Sequence, residues 1–181
     1  MLALDGLRRK QRGSADLNQA ERAVQLAENL NQEFGKIPRY QTALANALNL
    51  HASLIRENDP TRADEMHDRA ADILRGLCGR FSEVPAYRSI LASVLSEQSM
   101  TLEALERPDE SLCVLEEAIT KQSEFLDASP NSAFGRQAMA GHLRMLAQKM
   151  VGAGNEKEAQ RLKDSASKYW KRRPSVEDTS K

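Results

Sequence analysis

The chain repeats itself at a spacing of 47 residues, and a repeat of that length leaves few folds open. Phe34, Pro38, Tyr40, Leu44 and Ala45 recur in the same order as Phe81, Pro85, Tyr87, Leu91 and Ala92. A third, weaker copy places Phe134 another 47 residues beyond Tyr87, with Pro130 just upstream. Between these markers lie pairs of small residues seven apart: Ala63 and Ala70, Ser111 and Ala118, Ala159 and Ala166. A partial version sits upstream, where Glu21-Arg22-Ala23-Val24 resembles Asp68-Arg69-Ala70-Ala71. Seven residues span nearly two helical turns, so each pair falls on one helix face and lets a neighbouring helix come close.

Composition agrees with helices throughout. Of 181 residues, 24 are Ala and 22 Leu, against 9 Gly and 6 Pro. Tyr87, Leu91, Leu95, Leu102 and Leu105 predict a helix over about 85–106. Pro108 suits the first turn of the next helix, where Asp109 and Glu110 complement its N-terminus. Leu112, Leu115, Ala118, Ile119 and Phe125 mark that second helix, and Gly152-Ala153-Gly154-Asn155 divides the third unit. Helices of roughly 18 to 22 residues joined by short turns must be antiparallel neighbours. The expected fold is all-α: a solenoid of about seven to eight helices, with units at about 38–80, 85–128 and 131–173. Residues 1–33 read as a partial unit, with a short Leu2–Arg12 segment, a break at Gly13-Ser14 and a helix from about Ala15 to Glu33. Residues 174–181 have little to bury and read as a disordered tail. A helix pair with apolar residues on several faces needs neighbours to cover it, so ends without polar caps leave self-association open.

These residues resemble the tetratricopeptide repeat family, over about residues 14–173. Leu143, Leu146, Ala147, Met150, Gly154, Ala159 and Ala166 match its pattern well. Leu95, Ser99, Leu102, Ser111 and Ala118 match in the middle unit, with Gln98 departing at a Leu position. The first unit (Leu50, His51, Leu54, Asn58, Ala63, Ala70) fits loosely and can be read one residue out of step. The long period resembles the repeat tails of large bacterial regulatory proteins, some carrying serine/threonine kinase domains. The resemblance implies a groove lined by first helices that takes a peptide or protein segment. Carried over unit by unit, its lining is Leu48, Ala52 and Ile55, then Ser96, Met100 and Glu103, then Arg144, Gln148 and Val151. The family's carboxylate clamp is missing, because its places hold Leu48, Ala52, Glu97, Gly141 and Met145. A mixed apolar and polar lining suits an amphipathic segment.

The remaining residues are weighed for chemistry of their own. There is no phosphate-binding glycine loop, zinc motif or nucleophile elbow, so no catalytic residue, metal or cofactor is assigned. His51, His67 and His142 lie in different units without ligand spacing and read as structural or solvated. Cys78 and Cys113 read as small buried apolar residues. Residues 97–127 carry nine carboxylates against two cations, a formal −7, and 132–173 carry ten cations against three carboxylates, a formal +7. Solvated faces with some ion pairs between units account for this, with an electrically polar rod as the sharper alternative. Lys168-Tyr169-Trp170-Lys171-Arg172-Arg173 sets cations beside rings, but capping of the helix end is favoured over nucleic acid. No apolar run is long enough for a membrane span and no signal peptide is evident, which favours the cytoplasm unless a longer protein surrounds the chain. The leading expectation is a non-enzymatic protein-binding scaffold. Its rivals are the regulatory tail of a larger signalling enzyme, suggested by the half-unit start, and nucleic-acid binding by the basic C-terminal unit.

Overall fold

The structure is a computed structural model that describes the backbone of residues 2–171 and the side chains of residues 16–170. Residues 174–181, expected to be a disordered tail, lie outside the described residues, as do Arg172 and Arg173. Within them the chain is all-α, with seven helices in order: α1 Leu2–Phe34, α2 Pro38–Ile55, α3 Pro60–Arg80, α4 Ala86–Ala104, α5 Pro108–Ala128, α6 Ala133–Gly152 and α7 Glu156–Lys171. Each packs on the next, giving a solenoid in which α2–α3, α4–α5 and α6–α7 are successive hairpins. The helix starts follow local chemistry. Pro38, Pro60 and Pro108 open α2, α3 and α5, where a missing N–H costs nothing. Asp59 caps α3 by accepting from the Arg62 N–H at 3.1 Å, and Ser132 caps α6 by accepting from the Gly135 N–H at 3.0 Å.

One expected boundary is absent. Gly13-Ser14 does not break the chain, and α1 runs unbroken from Leu2 to Phe34. A mid-helix glycine costs only about 1 kcal/mol relative to alanine, too little to end a helix with good formers on both sides and no proline.

The paired small residues form the seams of the hairpins. Ala63, Ala70, Ser111, Ala118, Ala159 and Ala166 are all buried. Around the first two seams, Leu44, Leu48, Leu74, Leu77, Leu91, Leu95 and Leu115 build one continuous core, and Leu126 of α5 builds a smaller one with Met139, Leu143 and Ala166 of the third unit. The middle seam is polar yet satisfied. Ser99 and Ser111 hydroxyls lie 2.9 Å apart, and Gln122 accepts from Ser89 at 3.1 Å while donating to the Gly135 carbonyl at 3.1 Å. Gln98, where the next unit has Leu146, donates to Asp64 at 3.1 Å and Asp68 at 2.6 Å, tying α4 to α3.

The repeat length shifts by one residue along the chain. Between α2 and α4, buried positions correspond at a step of 47, as Leu44, Leu48 and Ala52 do to Leu91, Leu95 and Ser99. Between α4 and α6 the step is 48, as Leu91, Ala92 and Leu95 do to Met139, Ala140 and Leu143. Phe34 and Tyr40 pack with ring centroids 5.6 Å apart, and Phe81 and Tyr87 at 6.2 Å, stapling two junctions. The expected third marker does not join this series. Phe134 falls one residue short of the Tyr87 position and is 71% exposed. Gly135 holds that position instead, and a Cβ built on it would collide with the Phe125 ring.

The same 48-residue step pairs the turns. Gly154 closes α6 with φ +74°, where the Asn155 N–H donates to the Met150 carbonyl at 2.8 Å. Glu106 closes α4 in the same left-handed conformation at φ 57°, with Arg107 donating to Leu102 at 2.9 Å. A side chain there works against its backbone. Glu106→Gly is expected to raise unfolding free energy by about 1 kcal/mol in urea melts. Gly135→Ala, by contrast, is expected to lower it by about 1–3 kcal/mol, because the Phe125 ring must move.

Candidate functional site

The first helices approach one another while the second helices do not. Backbones of α2 and α4, and of α4 and α6, come into contact, whereas among the described residues no such contact links α1 with α3, α3 with α5 or α5 with α7. The stack therefore bends with α2, α4 and α6 on its inner side. Long ionic side chains span the wider outer gaps: Arg69 to Glu28 at 2.8 Å and Arg75 to Glu117 at 2.9 Å.

Of the nine residues expected to line the inner groove, the three in the first unit are misplaced. Leu48 and Ala52 are fully buried and Ile55 nearly so, all in the hydrophobic core. The cause is the one-residue difference in step. A shift of 47 from Ser96, Met100 and Glu103 gives Asn49, Ser53 and Arg56 instead. In α2 this row meets the next first helix: Ser53 and Arg56 both donate to the Glu97 carboxylate, at 3.1 and 2.9 Å. In α4, Ser96 is buried with its hydroxyl 3.3 Å from the Met145 sulfur, and Glu103 pairs with Lys149, while Met100 is exposed. Lys149 also donates to Ser111 at 2.6 Å. In α6, Arg144, Gln148 and Val151 are all exposed. Arg144 lies over the Trp170 ring, 5.6 Å from its centroid. At the clamp positions, Glu97 is held by Arg56 and Ser53, and Met145 packs partly buried against the core.

A depression of about 180 Å³ does cross all three first helices, built from Asn46 and Asn49 of α2, Ser89, Ile90, Ser93 and Val94 of α4, and Phe134 of α6. Asn46, Ser93 and Phe134 are exposed, and the buried Asn49 Oδ1 has no hydrogen-bond partner among the described residues. Sequence reasoning missed Asn46, Asn49, Ser93 and this use of Phe134. The 47-residue step, applied from α4 back to α2, was the signal that would have found Asn49. Cys113 also departs from expectation, being exposed, whereas Cys78 is half-buried and its thiol pKa is raised by that burial.

The histidines occupy apolar places of the repeat. A step of 48 takes His67 to Leu115 and brings Val94 to His142. His67 is fully buried with neither ring nitrogen hydrogen-bonded, and burial holds its pKa down to about 4, Glu97 opposing and Arg56 adding to the effect. Burial alone brings His142 to about 4 as well. His51 is lowered too, first by burial and then by Arg62.

None of the protein-family models matches the chain, and no curated protein matches it. Among solved structures the chain is similar to BtubC (BKLC) from P. vanneervenii, at 18% identity and a TM-score of 0.66, over 88% of this chain and 57% of the other. The chain thus spans a little over half of that protein's length, and at this identity the likeness shows the fold alone.

The buried histidines set an acid limit. Their folded pKa lies below the unfolded value, so the unfolded chain takes up the protons first. The stability they allow is complete above pH 6.5 and drains away as pH falls towards 4, by on the order of 3 kcal/mol per histidine. Urea midpoints measured across that window should fall steeply in the native protein and markedly less in a His67→Leu, His142→Val double variant.

Proposed function

We propose that the chain is a non-enzymatic protein-interaction scaffold of the tetratricopeptide-repeat kind, taking a peptide segment along the inner face of its first helices. The observation that carries this reading is the depression in which Asn46, Asn49 and Ser93 sit beside the exposed ring of Phe134. A side-chain amide offers one acceptor and two donors, which matches the alternating groups of an extended backbone. Asn49 brings an acceptor whose burial is uncompensated until a donor arrives. An exposed aromatic ring beside such groups anchors an apolar residue of the segment at low entropic cost. Met100, Gln148 and Val151 extend the same mixed surface along α4 and α6. The partner best suited is an uncharged or weakly charged segment with one large apolar side chain, because the ionic groups nearest the seam, Glu97 and Glu103, are already paired with Arg56 and Lys149.

Peptides selected on the full chain from a random display library test this directly. Their affinity should drop about tenfold or more for Phe134→Asp, and measurably for Asn49→Ala, with helical circular dichroism unchanged. Peptides that bind both variants as well as the native chain would show that the site lies elsewhere.

A further inference from the structure

The outer face changes character at its last joint. Arg69, Glu117 and Ser165 occupy one position of α3, α5 and α7, at steps of 48 residues. Arg69 reaches Glu28 of α1, and Glu117 reaches Arg75 of α3. The step that leads from Glu117 to Ser165 leads from Arg75 to Ser123, so the third joint has a serine on each side where the second has an ion pair. A hydroxymethyl group cannot bridge a gap that arginine and glutamate span elsewhere.

The gap there is an open cleft of about 810 Å³, within the range of sites for small organic ligands. Its walls are Ile119 and Ser123 of α5 and Ser165 of α7, over a floor of Met139 and Leu143 from α6, and Tyr169 closes one side. The residues one step earlier are Ala71, Leu91 and Leu95, so the floor stays apolar and Ile119 enlarges the apolar wall just where the ionic bridge is lost. The gap between α1 and α3 follows the opposite chemistry. It holds about 230 Å³ and is lined by Glu21, Glu28, Arg62, Glu65 and Arg69 among others. Lys168 stands at the mouth of the larger cleft, exposed, with no ion-pair partner among the described residues.

We infer that the cleft between α5 and α7 is a binding site for a single-chain amphiphile with a carboxylate head, such as a medium-chain fatty acid. The apolar tail lies on Met139, Leu143 and Ile119. The head sits at Lys168, with the hydroxyls of Ser123 and Ser165 as neutral donors. One ammonium and two hydroxyls suit a singly charged head; a phosphate group calls for more cationic donors than the cleft wall provides. The site lies on the outer face and is independent of the inner groove.

Trp170, the one tryptophan of the chain, adjoins the cleft in sequence and supplies a fluorescence signal. Decanoate, titrated below its micellar threshold, should shift that signal saturably. Decyltrimethylammonium should bind at least about tenfold more weakly, and Lys168→Glu should weaken decanoate by a similar factor. Ser123→Arg with Ser165→Glu rebuilds the ionic bridge of the preceding joint and should abolish binding, whereas Phe134→Asp should leave it unchanged. No saturable shift, or equal binding of the cationic and anionic probes, overturns the proposal. So does decanoate affinity that is unaltered by Lys168→Glu, an exposed change that leaves the fold intact, whether or not the double variant folds.

Discussion

Close approach of helices at paired small residues is the constraint on which the rest of this structure depends. Ala63 with Ala70, Ser111 with Ala118 and Ala159 with Ala166 each bury one face of a second helix against its hairpin partner. With larger residues at these places the hairpins would open, and the leucines that fill the space between units would lose their complement. Packing at organic-crystal density leaves little room for such a change. The middle seam shows how strict this is. Ser111 replaces alanine, and its hydroxyl is spent on Ser99, whose carbonyl accepts from it at 2.6 Å.

Curvature follows from what the helices present sideways. First helices meet through small and medium side chains such as Ser53, Ser96 and Val94, so their backbones come together. Second helices present arginine and glutamate across the first two outer gaps, and those side chains link backbones that do not touch. Such exposed pairs add little stability individually, on the order of 0–1 kcal/mol. They bridge outer gaps that exist without them, since α5 and α7 stand apart with no such pair between them among the described residues.

Much of the fold could be read from the sequence because core positions repeat. The hairpin units, the proline start of α5 and the Gly154 turn all follow from residues whose chemistry admits few alternatives. What could not be read was register. A single added residue between α4 and α6 moves Phe134 out of the aromatic series, and using that same longer step between α4 and α2 moved the first-unit groove residues into the core. A helix turns 100° per residue, so a slip of one position exchanges a buried face for an exposed one. The continuity of α1 through Gly13-Ser14 was hidden for a different reason: local propensity is weak and the flanking helix outweighs it.

In a repeat array, departures from the repeat say more about particular use than the repeat itself. Each conserved-looking position answers the common need to stack, so a residue that fails that need must be explained by something local. Gln98, in a leucine place, is explained by Asp64 and Asp68. Gly135, in a tyrosine place, is explained by the Phe125 ring that lies against it. His67, in a leucine place, finds no hydrogen-bond partner among the described residues and costs stability in acid. Ser123 and Ser165, where the preceding joint has arginine and glutamate, leave an apolar floor open that a bridge would have covered. A joint that only needed to stack had no use for enlarging Ala71 to Ile119 while removing the bridge above an apolar floor.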